Sequence, residues 1–146
     1  MRARRAVMAS FLVGALLSTP CVGEEAAKPL ITDPVYTKPQ QRVDVGHGRR
    51  MNLYCLGSGS PTVILDAGMG DSTISWALVQ PAIATRTRTC SYDRAGLGFS
   101  DGASRPSTAS NNADDLHTLL KVAHVAPPYV LVGHSAAGMY IRVYAD

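Results

Sequence analysis

The sequence predicts an α/β fold built on a mostly parallel sheet with an N-terminal hairpin, and three observations predict it. Thr62-Val63-Ile64-Leu65 and Tyr129-Val130-Leu131-Val132 are short runs without apolar–polar alternation, the pattern of strands buried on both faces. Between them Leu116, Leu119, Leu120 and Ala123 recur at one-face helical spacing, the mark of an amphipathic helix packed on a sheet. Ahead of them, Arg42 to Val45 and Arg50 to Cys55 flank the turn Gly46-His47-Gly48, which reads as a hairpin. Strands that alternate with helices after a hairpin indicate a parallel sheet covered by helices.

In chain order, Arg2, Arg4 and Arg5 precede an apolar run from Ala6 to Leu17, then Ser18-Thr19-Pro20 and the small-residue stretch Cys21-Val22-Gly23. This order predicts a signal peptide over residues 1–23, cleaved after Gly23, and hence an exported (periplasmic or extracellular) protein. The run is too short to span a bilayer, so no stable membrane anchor is expected. Those three arginines account for the whole formal charge of +3, and no basic patch points to nucleic acid. Residues 24–40 carry Pro29, Pro34 and Pro39 without apolar periodicity and read as an extended lead-in, which leaves 41–146 for the domain.

In the hairpin's second strand Met51, Leu53 and Cys55 share one face. After the buried strand at Thr62, the loop Asp66-Ala67-Gly68-Met69-Gly70 is glycine-rich where backbone could approach a ligand. A helix is expected around Trp76, Leu78, Val79 and Ile83, limited by Pro81. Thr87 to Tyr92 reads as a strand, though less apolar than a central one should be. The glycines of Asp93-Arg94-Ala95-Gly96-Leu97-Gly98 could cradle a nucleotide, but Asp101 stands where the third glycine belongs. Ser107 to Ser110 offers helix caps, and Pro127-Pro128 is expected to end the helix that follows.

The stretch Gly133-His134-Ser135-Ala136-Ala137-Gly138 then turns a buried strand sharply into a helix around a lone serine. That is the pattern of a nucleophile elbow: small neighbours let Ser135 adopt a strained conformation that lifts its hydroxyl clear of the sheet. The helix from Ala136 to Tyr144 would point unpaired N–H groups and its positive dipole end at an oxyanion formed there. The same turn also occurs in α/β domains that do no chemistry.

Three segments in register, Asp66 to Gly70, Tyr92 to Ser100, and Val132-Gly133-His134-Ser135, make the chain from about Arg42 to Asp146 resemble the N-terminal half of an α/β-hydrolase fold serine hydrolase. The resemblance implies an α/β-hydrolase fold truncated after the elbow helix, Ser135 as nucleophile, and the backbone N–H groups of Met69 and Ala136 as oxyanion hole. It implies an ester or related acyl bond in a small-molecule substrate, without a cofactor, and a mainly architectural role for the loop from Asp93 to Ser100. Serine rather than aspartate at the elbow disfavours epoxide hydrolases and haloalkane dehalogenases.

Two departures stand out. Ala137 replaces the last glycine of the elbow pattern, with Gly138 following, and His124 occupies a helix end where relatives often carry glycine. The larger departure is that the triad acid and histidine should follow the serine, yet no histidine follows Ser135 and Asp146 is the one later acid. His47, His117, His124 and His134 lack a recognisable partner for the role of base. The chain is therefore expected to be only the first half of such a hydrolase, inactive alone because it lacks the triad acid and histidine. The alternative is a non-catalytic truncated product, or a half-domain needing a second chain.

With Cys21 in the signal peptide, Cys55 and Cys90 remain as an even pair in an exported protein. The resemblance makes their strands neighbours, so a disulfide and two small apolar core residues are the competing readings. Neither the cysteines nor the histidines show metal-ligand spacing.

Overall fold

A computed structural model describes residue 31 and residues 33–146. The expected signal peptide lies outside the described residues. A five-stranded sheet runs in the order β1-β2-β4-β3-β5. Its strands are β1 (Gln41–Asp44), β2 (Arg50–Leu56), β3 (Thr62–Asp66), β4 (Thr89–Tyr92) and β5 (Tyr129–Gly133). The hairpin pair β1–β2 and the pair β2–β4 are antiparallel, whereas β3 pairs in parallel with both β4 and β5. The hairpin turns where Gly46, His47 and Gly48 all take positive φ, which two glycines make inexpensive.

Helices cover both faces. The helix α2 (Ala109–Val122) lays Leu116, Leu119 and Leu120 on Val43, Met51, Leu53, Ile64, Cys90 and Tyr92, forming the apolar core. Each leucine is 2% exposed or less, which contributes about 1.5–3 kcal/mol per side chain. Thr108 caps α2 by accepting from the Asn111 N–H at 3.1 Å.

On the opposite face α1 (Gln80–Ala84) packs over β2 and β4. Gln80, fully buried, donates to the carbonyls of Tyr54 and Thr89 and accepts from the Ser91 hydroxyl. This side chain makes the low apolar content of β4 tolerable, and β4 is a central strand with every residue buried.

Four expectations need correction. Residues 34–37 of the lead-in form a 3-10 turn rather than extended chain, and its Tyr36 is buried edge-on against Tyr54. The helix expected around Trp76 is split into a 3-10 turn (Thr73–Trp76) and α1, with Leu78 and Val79 exposed. Its break follows from Pro81, which has no N–H to bond back and so sits in the first turn of α1. The helix α2 closes at Ala123, just before His124, rather than on the prolines. His124 takes φ 53°, and the N–H groups of His124 and Val125 return to the carbonyls of Lys121 and Leu120. Finally, β5 is half-buried instead of buried on both faces, because among the described residues it has only β3 beside it.

Candidate functional site

The strand β5 delivers the chain to Ser135, which is exposed and holds φ 56°, a left-handed conformation that L-residues adopt only when the surroundings impose it. The helix α3 (Ala137–Ala145) follows directly. Gly133 is where strand and helix come closest: a Cβ there would lie 2.8 Å from the carbonyl carbon of Ala137 and 2.9 Å from the amide nitrogen of Gly138. Ala137 is fully buried with its methyl accommodated, and Gly138 has open space around it. The alanine in place of glycine therefore fits.

Parallel pairing sets Asp66 beside Gly133, and the His134 N–H donates to the Asp66 carbonyl at 3.1 Å. This brings the loop after β3 against the elbow. Gly68 to Asp71 is a turn closed by the Asp71 N–H on the Gly68 carbonyl, with Gly70 at φ 77° as its third residue. Gly68 must also lack a side chain, since a Cβ would lie 2.9 Å from His134 Nδ1. Among the described residues, the N–H groups of Met69 and Ala136 donate to no protein acceptor. Ala136 is the N-cap residue of α3 and makes no side-chain cap hydrogen bond, so its amide keeps the donor capacity of a helix N-terminus.

His134 is 63% exposed along its side chain, and its Nδ1 stands 3.8 Å from Asp71 Oδ2, beyond hydrogen-bond reach. With Ser75, Trp76 and Val79 these two residues line a cleft of about 230 Å³ beside the elbow.

Under the site lies a buried polar network. Asp93, fully buried, accepts from the Thr73 N–H at 2.6 Å, the Phe99 N–H at 2.9 Å and Asn52 Nδ2 at 3.0 Å. Gly98, at φ 50°, leaves the room this carboxylate occupies. The next residue, Arg94, is 5% exposed and donates to the Asp66 carboxylate and to the carbonyls of Ala67 and Gly68. Its guanidinium lies over the Tyr140 ring of α3, 5.2 Å from the centroid. Burial pushes the Asp66 carboxyl up, against the opposing pull of Arg94.

Sequence reasoning described the Asp93–Ser100 loop as architecture but missed where Arg94 reaches. The available signal was an acid, Asp66, closing an otherwise apolar strand, with a lone arginine just past the neighbouring strand.

The remaining candidates lie elsewhere. Cys55 and Cys90 face each other across β2 and β4 and are joined by a disulfide. His47 is in the hairpin turn, where it lines a separate cavity of about 500 Å³ with Arg49, Arg105 and Asp115. His117 tilts against Tyr144, and His124 caps α2. Among the described residues no group of histidine, cysteine, aspartate and glutamate could hold a metal ion, and no helix is long and apolar enough to cross a membrane.

No protein-family model matches the chain. It is 40% identical over 88 residues to "Probable transporter efuK" of Hormonema carpetanum, a match covering 59% of this chain and 13% of that protein. It is 35% identical over 85 residues to an AB hydrolase superfamily protein of Gibberella zeae, covering 58% of this chain and 26% of the other. Among solved structures, E-2-(acetamidomethylene)succinate hydrolase superposes with a TM-score of 0.64 at 26% identity, over 72% of this chain and 38% of that one. The epoxide hydrolase CorEH does so with a TM-score of 0.63 at 27% identity, over 70% and 36%. The chain thus spans little more than a third of these solved structures and less of those two relatives. By strand order, loops and these neighbours, the chain has part of the α/β-hydrolase fold and is similar to proteins of that superfamily.

Proposed function

We propose that this chain supplies the nucleophile and the oxyanion hole of a hydrolase acting on an ester or related acyl bond of a small molecule. The observation that carries the reading is Ser135 at φ 56° on the turn between β5 and α3, with the N–H groups of Met69 and Ala136 donating to no protein acceptor among the described residues. In this reading the Ser135 hydroxyl oxygen bonds to the acyl carbon while its proton passes to a histidine. The two amides receive the charge that develops on the acyl oxygen. Collapse breaks the bond to the leaving group, which takes up the proton, and water then releases the acid by the same steps.

The acid and the histidine are not found after Ser135 in this sequence, so the proposal assigns them to residues outside it, in a C-terminal half or a second chain. The N-terminal charged and apolar segments support export of a chain beginning near Glu24.

Sequencing the gene beyond the Asp146 codon, then exposing the encoded protein to a fluorophosphonate probe, tests this. A frame continuing through an acid and a histidine, with labelling abolished by Ser135→Ala, is expected. Labelling that survives Ser135→Ala overturns the assignment, and a stop codon with no second-chain activation favours the non-catalytic alternative.

A further inference from the structure

We infer that Arg94 is a positioning residue for the oxyanion hole, acting through the peptide unit that joins Gly68 to Met69. The inference rests on the proposed role of Ser135 and Met69. The carbonyl of that unit accepts from Arg94 and from the Asp71 N–H, while its amide, on Met69, has no protein acceptor among the described residues. In a trans peptide the C=O and N–H point in opposite directions. Anchoring the oxygen inward therefore aims the Met69 N–H away from the guanidinium. A cation bonded to the carbonyl also polarises the amide and makes its N–H a stronger donor, with the effect enhanced by the low dielectric of a buried site.

Arg94 holds the preceding carbonyl, Ala67, as well, so two successive peptide units are fixed by one rigid fork. Asp66 supplies the counter-charge that makes a guanidinium 5% exposed tolerable. Tyr140 beneath the guanidinium belongs to α3, the helix that opens just after Ala136. One side chain thus ties together the two elements carrying the two oxyanion donors. Lysine cannot reproduce this arrangement, because a point charge lacks the fork that reaches two carbonyls and a carboxylate together.

The test uses the complete protein encoded by the frame containing this chain. In a folded Arg94→Lys variant, kcat on an activated ester is expected to fall about ten- to a hundredfold, with KM changed less than about twofold. Affinity for a trifluoromethyl ketone, which forms the oxyanion on Ser135, should fall by the same factor as kcat. Methylguanidine should restore part of the activity of Arg94→Ala.

A folded Arg94→Lys variant with unchanged kcat, or a kcat loss unmatched by the ketone, overturns the inference. Activity that survives Ser135→Ala refutes the nucleophile assignment instead. If neither Arg94 variant folds, NMR on the parent protein decides: a scalar coupling across the hydrogen bond from the Arg94 guanidinium to the Gly68 carbonyl is expected, and its absence overturns the inference.

Discussion

Replacing Gly133 with alanine would put a methyl group where the backbone of α3 already runs. The new Cβ would lie 2.8 Å from the Ala137 carbonyl carbon and 2.9 Å from both the Ala137 oxygen and the Gly138 nitrogen, where ordinary contact begins at 3.4 Å. All three are backbone atoms, so no rotamer change relieves the overlap and the helix must retreat by about half an ångström or more. Overpacking of this kind costs about 1–3 kcal/mol, offset by about 0.4–1 kcal/mol from the stiffer unfolded chain. The net is a destabilisation of about 1–2 kcal/mol, or several degrees in Tm.

Gly138→Ala provides the opposite sign from a site five residues on. Its Cβ would meet nothing within 4 Å, and inside a helix the alanine should stabilise by about 0.8–1 kcal/mol. Thermal unfolding followed by circular dichroism compares both variants with the parent chain. If Gly133→Ala melts at or above the parent, the close approach of β5 and α3 that shapes the serine turn is not as described here.

Two further outcomes are expected. Replacing both Cys55 and Cys90 with alanine should cost about 3–4 kcal/mol, the loop-closure estimate for a separation of 35 residues, and thiol mapping of the unreduced parent that finds either residue free would refute the bond. Burial pushes the Asp115 carboxyl up, but hydrogen bonds from Arg49 and Arg105 outweigh it and hold the group below its ordinary value. Because the folded pKa is the lower one, the stability this confers is present above about pH 4 and lost as pH falls further. Urea titrations at neutral and acid pH should show a smaller acid loss in Asp115→Asn, and an equal loss in variant and parent would count against the pairing.

The parts legible in the sequence were those whose causes lie within a few residues. The turn from Gly133 to Gly138 betrays itself by small residues around one serine, and the same sterics put Ser135 at φ 56°. The left-handed His124 followed from its place at a helix end, although the hydrogen bonds of that end, rather than Pro127-Pro128, stop the helix. Less legible was β4. Its composition argued against a central place until Gln80, far from a natural core residue by type, proved to satisfy Ser91 and the Thr89 carbonyl. Leu78 and Val79 misled in the other direction, since apolar residues are not obliged to be buried.

By itself, then, the sequence determined the order of strands and helices, the α/β class, and the sharp turn that presents Ser135, because backbone sterics, capping and apolar periodicity act over a few neighbouring positions. Tertiary structure alone decided that Arg94 reaches back 26 to 28 residues to the loop after β3, and that Asp93 gathers Asn52, Thr73 and Phe99. The physical reason is that a buried charge must find partners wherever the folded chain brings donors and acceptors together, and no local spacing encodes that meeting.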